Sequence, residues 1–343
     1  MTTRLSFAGA GWAGRVHALA ASVVPGVTIP VVATRSVASA EELAASVGAQ
    51  PATADRLPGS ADAVLIATPP GAHAELAVRL LAEGTPVLIE KPLAVTLAEA
   101  DAIVAAAEGS GAAACYAENL LFAPVVDVAL NRRPSLGALD HLSVRMVQPA
   151  PIWGHFLEPL TAGGVLLDLG VHAVALAMVL AGDAPVAVRA RLASSRDDGA
   201  DDVARLEIRF EGDLIAALDV AWGGEEIDWS AQASSPNGVV RVELQPSVAV
   251  EVDGESQPVP AVTLPEGVDG RIHDLGYHTQ MAGFCDVLAG RGGRVCPVGF
   301  GRAVLDLVCA AYASAGRDGE EVLLPFAGRR DLTPMQLWKR GAN

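Results

Sequence analysis

The amino-acid sequence predicts an α/β chain in two parts. The first is a doubly wound parallel sheet over residues 1–120, and the second an α+β part over 121–343 built on a large, mostly antiparallel open sheet. Three observations predict this. Up to about Tyr116, short runs rich in Val, Ile, Leu and Ala alternate with helical stretches, which is the pattern of βαβ units. Gly9-Ala10-Gly11-Trp12-Ala13-Gly14 stands in the first strand-to-helix turn. From Val186 to about Leu264, apolar and polar residues alternate between turn residues with no long helical pattern, as in antiparallel strands with one solvated face.

Composition sets the bounds. A length of 343 residues gives a prior of two domains, each large enough for its own core. The chain is 51% hydrophobic but only 4% aromatic, so that core is mostly Ala, Val and Leu. Against 40 Asp plus Glu stand 24 Lys plus Arg, and the net charge of −16 disfavours nucleic acid and anionic membrane surfaces as partners. Cys115, Cys285, Cys296 and Cys309 show no C-x-x-C spacing, so neither a disulfide scaffold nor a zinc or other metal site is expected, and a reducing compartment is the simpler reading. Residues 16–34 carry no Asp, Glu, Lys or Arg, but Pro25-Gly26 breaks the run, and no segment reads as long and unbroken enough to span a bilayer. The expected location is cytoplasmic.

Arg4 to Ala8 reads as the first strand and Trp12 to Ser22 as the first helix, with G-x-G-x-x-G between them. Such a turn needs its first glycine for tightness, its second for close approach of backbone to a pyrophosphate, and its third for helix–strand packing. Gly9, Gly11, Trp12, Ala13 and Gly14 are therefore cofactor-binding candidates. The next strand, Ile29 to Ala33, ends in Thr34-Arg35-Ser36, with no acidic residue until Glu41. A carboxylate there would take the ribose hydroxyls of NAD, whereas a hydroxyl residue beside arginine suits a 2′-phosphate, so NADP is favoured over NAD. Arg35 stacked on adenine would admit either.

Ser39-Ala40-Glu41-Glu42 reads as a capping box whose helix Gly48 ends. Ala63 to Ala67 is a buried strand that runs into Thr68-Pro69-Pro70-Gly71-Ala72-His73. Thr68, Pro69 and His73 are cofactor-contact candidates there, and His73 serves equally as a helix-start residue. Pro86 to Ile89 is closed by Glu90-Lys91-Pro92. Only Lys91 and Lys339 are lysines in a chain that otherwise uses arginine, and a partly buried lysine titrates or donates compactly where arginine cannot. Thr96-Leu97-Ala98-Glu99 opens a helix to about Gly109, and Ala112 to Tyr116 is the last strand of this part.

In the second part, a helix near Pro124 to Arg132 leads to a strand, His141 to Gln148. Trp153-Gly154-His155-Phe156 follows, and then Gly163-Gly164-Val165-Leu166-Leu167-Asp168-Leu169-Gly170-Val171-His172. If the chain is helical from Leu166, Asp168 and His172 share a face, and a carboxylate beside histidine raises its basicity. By themselves the two also read as a helix-start charge and a core histidine. Strands follow at 186–192, 203–210, 214–222, 227–233, 239–244 and 248–252, and the open face of their sheet calls for a partner. Arg196 to Asp202 reads as a solvated acidic hairpin loop, and helices are expected from Tyr277 to about Ala289 and from about Gly301 to Ala315.

Together these motifs resemble the glucose–fructose oxidoreductase, inositol dehydrogenase and MocA family over nearly the whole chain. The likeness rests on Gly9-x-Gly11-x-x-Gly14, on Thr68-Pro69-Pro70 with His73, and on Glu90-Lys91-Pro92. It extends through Gly163-Gly164 with Asp168, Gly170 and His172 to Tyr277 and Leu323-Leu324-Pro325. The resemblance implies a Rossmann domain, a carboxyl-terminal domain with a large antiparallel sheet, and dimers or tetramers formed through that sheet. It implies reversible hydride transfer between a nicotinamide and a carbinol carbon of a sugar-like small molecule. Lys91 would polarise the reacting oxygen, His172 would act as general base, and Asp168 would hold substrate and histidine. Glu90 and Asn119 would join the cofactor contacts, and Asn119, Trp153, His155 and Tyr277 would line the substrate site. The chain departs from the family pattern at Leu120 and Leu121, where arginine is frequent, and at Ala175, where an acidic residue is common. Two rivals remain from the sequence: a non-sugar substrate such as a dihydrodiol, imine or tetrapyrrole, and a cofactor-binding regulator without catalysis.

Overall fold

The computed structural model describes residues 2–57, 59, 61–151, 163–223, 225 and 227–340. They group into two compact units. The first comprises 1–94, 98–122 and 262–302, and the second 95–97, 123–261 and 303–343. The return of 262–302 to the first unit is a long-range feature that a linear boundary after residue 120 does not contain.

The first unit is laid down as β1 (Thr3–Ala8), α1 (Trp12–Ser22), β2 (Val27–Thr28), β3 (Val31–Thr34), α2 (Val37–Val47), β4 (Gln50–Thr53), β5 (Ala63–Ile66), α3 (His73–Ala82), β6 (Val87–Glu90), α4 (Leu97–Ser110) and β7 (Ala114–Ala117). The sheet runs β4-β3-β1-β5-β6-β7, with β2 paired to β1, and every pairing is parallel. β5 and β6 are buried along their whole length, which explains their unbroken apolar runs. The strand order reverses on either side of β1, and parallel strands share one carboxyl edge. The turns after β1, β3, β5 and β6 therefore gather on one edge of one sheet. β4 was absent from the sequence reading because Gln50-Pro51-Ala52-Thr53 has no apolar run. The cap of α2 also lies earlier than expected: Ser36, not Ser39, is its N-cap and accepts the Ser39 N–H at 3.4 Å.

The second unit contains α5 (Pro124–Leu136), β8 (His141–Gln148), α6 (Val165–Asp168), α7 (Gly170–Ala181), β9 (Pro185–Ala193), β10 (Val203–Phe210), β11 (Ile215–Trp222), β12 (Asp228–Ser235), β13 (Gly238–Gln245), β14 (Ala249–Val252) and β15 (Glu255–Ser256). The short helices α8 (Arg271–Asp274) and α9 (Tyr277–Leu288) follow in the return segment. They precede α10 (Val298–Ala315), β16 (Val322–Leu323) and α11 (Pro334–Arg340). The sheet order is β15-β14-β13-β12-β8-β11-β10-β9-β16, antiparallel except where β8 meets β11. Burial alternates along these strands, and α7 packs on β8 and β11 while α5 packs on β13 and β14. On the other face Arg145 bridges Asp219 and Asp228, the latter at 2.8 Å.

Two expectations change. Asp201 and Asp202 are buried, so the loop before β10 is not a solvated acidic hairpin; Asp198 pairs with Arg196 at 2.7 Å, and Asp202 accepts the Ser195 N–H at 2.9 Å. α10 is long and apolar enough to cross a membrane by length and composition, against the sequence reading, but 72% of it is buried within the fold.

All four cysteines are free and buried, and loss of hydration pushes their thiols up, Cys285 to about 11 and Cys115 to about 12. A thiol at pKa 11 is on the order of 10⁻³ ionised at pH 8, and the thiolate is the reactive form. A thiol reagent at pH 8 is expected to label the native protein only slowly, with the full set of cysteines reacting at once in denaturant; rapid labelling of the native protein would contradict this burial.

Candidate active site

The turn after β1 tests directly whether a dinucleotide fits. Gly9 has φ of 111°, and a Cβ there would stand 2.2 Å from the Ala67 carbonyl oxygen. A Cβ on Gly14 would stand 2.4 Å from the Gly9 carbonyl oxygen. Both positions exclude a side chain because backbone meets backbone. Gly11 differs: nothing lies within 4 Å of its Cβ position, and α1 begins there with no side-chain cap. Open space in front of uncapped helix N–H groups is what a pyrophosphate requires. The residues therefore fit the group. Trp12 is 55% exposed beside this opening, edge-on to Tyr277 at 6.4 Å between ring centroids.

At the end of β3, the Thr34 hydroxyl donates to the Ser36 carbonyl at 2.6 Å, and Ser36 Oγ is committed to capping α2. Arg35 is exposed. Of these three candidates, it is the one whose side chain faces solvent without a local structural task. After β5, Thr68 Oγ1 is buried with no hydrogen-bond partner among the described residues.

His73 is fully buried, with Nδ1 3.0 Å from the Pro92 carbonyl and Nε2 2.8 Å from the Thr68 carbonyl. A ring with no exposed surface offers nothing to a cofactor, so His73 is a brace between the turns that follow β5 and β6, rather than a direct contact. Burial holds its pKa below the usual value, against the opposing pull of the two carbonyls and Glu90. A neutral imidazole donates to only one of those two carbonyls.

Glu90 is 5% exposed and spends both oxygens locally. Oε1 meets His17 Nε2 at 2.6 Å, and Oε2 accepts the Lys91 backbone N–H at 2.9 Å. His17 lies on α1, so the phosphate-facing helix is tied to the residue before Lys91. Tyr277, at the start of α9, packs edge-on to His17 at 5.2 Å. Its place is thus beside the first helix of the nucleotide fold. Lys91 is half-buried. Asn119 is buried, and its side-chain amide donates to the Leu275 carbonyl at 2.7 Å. Leu120 and Leu121 are core residues.

In the second unit, Asp168 closes α6 and His172 lies in the first turn of α7, both buried. The helix is nearly continuous through Leu169, although His172 N–H bonds the Leu169 carbonyl three residues back, at 3.1 Å, which tightens the turn. The rings of His172 and Trp229 lie 6.4 Å apart, tilted by 30°. Trp153 and His155 lie outside the described residues. Sequence reasoning missed His17, Trp229 and Asp201. His17 carried a readable signal, a polar residue on the inner face of an apolar helix; Trp229 carried none beyond being one of few aromatics.

A parallel sheet with an open glycine turn at its carboxyl edge defines a dinucleotide-binding fold. Residues 3–117 match the model of the oxidoreductase family with an NAD-binding Rossmann fold, and residues 130–232 match the GFO/IDH/MocA carboxyl-terminal domain. The chain belongs to the GFO/IDH/MocA oxidoreductase family. It is 26% identical to inositol 2-dehydrogenase of Rhizobium meliloti over 75% of this chain and 82% of that one. It is 28% identical to scyllo-inositol 2-dehydrogenase (NADP(+)) of Bacillus subtilis over 54% and 60% of the two chains. Among solved structures, GenD2 from gentamicin A biosynthesis, in complex with NAD, superposes with a TM-score of 0.82 at 26% identity, covering 94% of this chain and 96% of that one.

The buried pair generates a stability test. Glu90→Ala strands His17 in the core and is expected to cost about 3 kcal/mol, whereas Glu90→Gln, which keeps a partner, should cost about 1 kcal/mol. Urea unfolding measures both; equal, small losses would show that the His17 contact is not a stabilising one.

Proposed function

We propose that the protein catalyses reversible hydride transfer between NAD(P) and a carbinol carbon of a sugar, polyol or related cyclic alcohol. The observation that carries this reading is the anchoring of Lys91, through Glu90 and His17, on the same sheet edge as the open Gly9–Gly14 turn. The names of two relatives, both dehydrogenases of cyclic polyols, support the substrate class. Gly9, Gly11 and Gly14 would hold the cofactor's phosphates, with Thr68 and Trp12 beside them, and the bound nicotinamide supplies the hydride acceptor or donor.

Lys91 donates a hydrogen bond to the reacting oxygen and stabilises the negative charge that gathers there. His172 takes the hydroxyl proton during oxidation and returns it during reduction, a general-base task suited to imidazole near neutral pH. Asp168 orients substrate and imidazole. Trp229, whose ring lies 6.4 Å from that of His172 and is tilted by 30°, gives a sugar ring an aromatic wall. We place the enzyme in the cytoplasm, as a homodimer or homotetramer joined through the half-exposed face of its nine-stranded sheet.

Nicotinamide absorbance followed across sugars, polyols, diols and keto-sugars tests the assignment. Lys91→Arg and His172→Ala are each expected to lower kcat by about 10²-fold or more with cofactor Kd little changed. Full turnover in Lys91→Arg would remove that residue from the chemistry, and tight cofactor binding with no turnover on any substrate would favour a regulator.

The cofactor preference rests on Arg35. With no acid at the end of β3, NADP is the favoured partner, and Arg35→Ala should raise KM for NADP about tenfold, the worth of one charge-assisted hydrogen bond, while KM for NAD stays within about twofold. An equal rise for both would put Arg35 on the adenine instead.

A further inference from the structure

Asp201 is fully buried in the second unit and receives the three consecutive N–H groups at the start of α6, those of Gly164, Val165 and Leu166. Its Oδ1 accepts Gly164 N–H at 3.0 Å, its Oδ2 accepts Leu166 N–H at 2.9 Å, and its backbone carbonyl accepts Val165 N–H at 2.8 Å. Tyr312, buried in α10, donates its hydroxyl to Oδ1 at 2.6 Å and accepts Gly164 N–H at 3.3 Å. The fit is close enough to dictate sequence: a Cβ on Gly164 would stand 2.1 Å from the Asp201 carbonyl oxygen. Asp201 is itself held by the sheet on both sides, because the next residue donates its N–H to Ala193 of β9 at 3.0 Å and accepts Trp222 N–H of β11 at 2.8 Å.

From this clamp the hydrogen bonds run straight to the histidine. The Gly164 carbonyl accepts Asp168 N–H at 3.1 Å, the Val165 carbonyl accepts Leu169 N–H at 2.8 Å, and the Leu169 carbonyl accepts His172 N–H at 3.1 Å. We propose that Asp201, with Tyr312, is a positioning pair for the reaction: it fixes the origin of the α6–α7 run and thereby sets where Asp168 and His172 stand relative to the substrate. The inference rests on the general-base reading of His172. Burial pushes the Asp201 carboxyl up to about 6, against the pull of its donors, so the fold keeps a costly group where an apolar one would pack. A side chain retained only to fill space would not need three aligned donors.

The test uses the full chain with Asp201→Asn, Tyr312→Phe, His172→Ala and the Asp201→Asn/His172→Ala double variant, each assayed for kcat, KM and cofactor Kd. Asp201→Asn should lower kcat tenfold or more and Tyr312→Phe about fivefold, since small misplacements of a proton-transfer group are costly. Cofactor Kd should stay within about twofold, and Asp201→Asn should remove far less from the turnover left in His172→Ala than it removes from wild type. If Asp201→Asn does not fold, Tyr312→Phe decides, and a kcat within twofold of wild type there overturns the proposal. An additive loss in the double variant also overturns it, because Asp201 would then act independently of the histidine. Undiminished turnover in His172→Ala would refute the base assignment itself, and the clamp with it; loss in His172→Ala with none in Tyr312→Phe refutes the clamp alone.

Discussion

A carboxylate taken out of water must find donors, and two such groups govern the functional segments of this chain. Glu90 in the first unit and Asp201 in the second are 5% and 0% exposed. Each draws at least one donor from a distant part of its own unit: Glu90 is satisfied by His17 and by the N–H of the next residue, Lys91, and Asp201 by the start of α6 and by Tyr312. An unpaired buried charge costs several kcal/mol, so the segments that supply the donors are not free to drift. Those segments carry Lys91 and the Asp168–His172 pair. The residues proposed for the chemistry are thus held through their neighbours along the chain.

Backbone sterics supply the second constraint. Gly9, Gly14 and Gly164 are glycines because carbonyl groups occupy the space a Cβ would need. Gly11 is different in kind, with open space before it, and it is the one glycine of the first turn that reads as a ligand position rather than a packing position. The same distinction separates His73 from Lys91. Both follow strands on the same sheet edge, but one is a buried brace between carbonyls and the other remains half-buried.

Much of the fold was legible because local physics and tertiary demand agreed. α1, β8 and β10 begin and end where periodicity and glycines put them. The miss at β4 has a local cause: Gln50-Pro51-Ala52-Thr53 is a strand only because β3 offers its edge. The misread loop at Arg196–Asp202 has a tertiary cause. Four acidic residues in seven look solvated in sequence, yet Asp201 finds its donors 35 and 111 residues away, at Leu166 and Tyr312. Likewise Tyr277 meets His17 only because residues 262–302 return to the first unit.

The sequence by itself determined the order of most strands and helices, the glycine turn, the lysine after β6 and the spacing of Asp168 and His172, because each depends on residues within one or two turns of chain. The tertiary structure alone decided which polar groups become buried and what satisfies them. Desolvation depends on neighbours from elsewhere in the chain, and no window of sequence contains them.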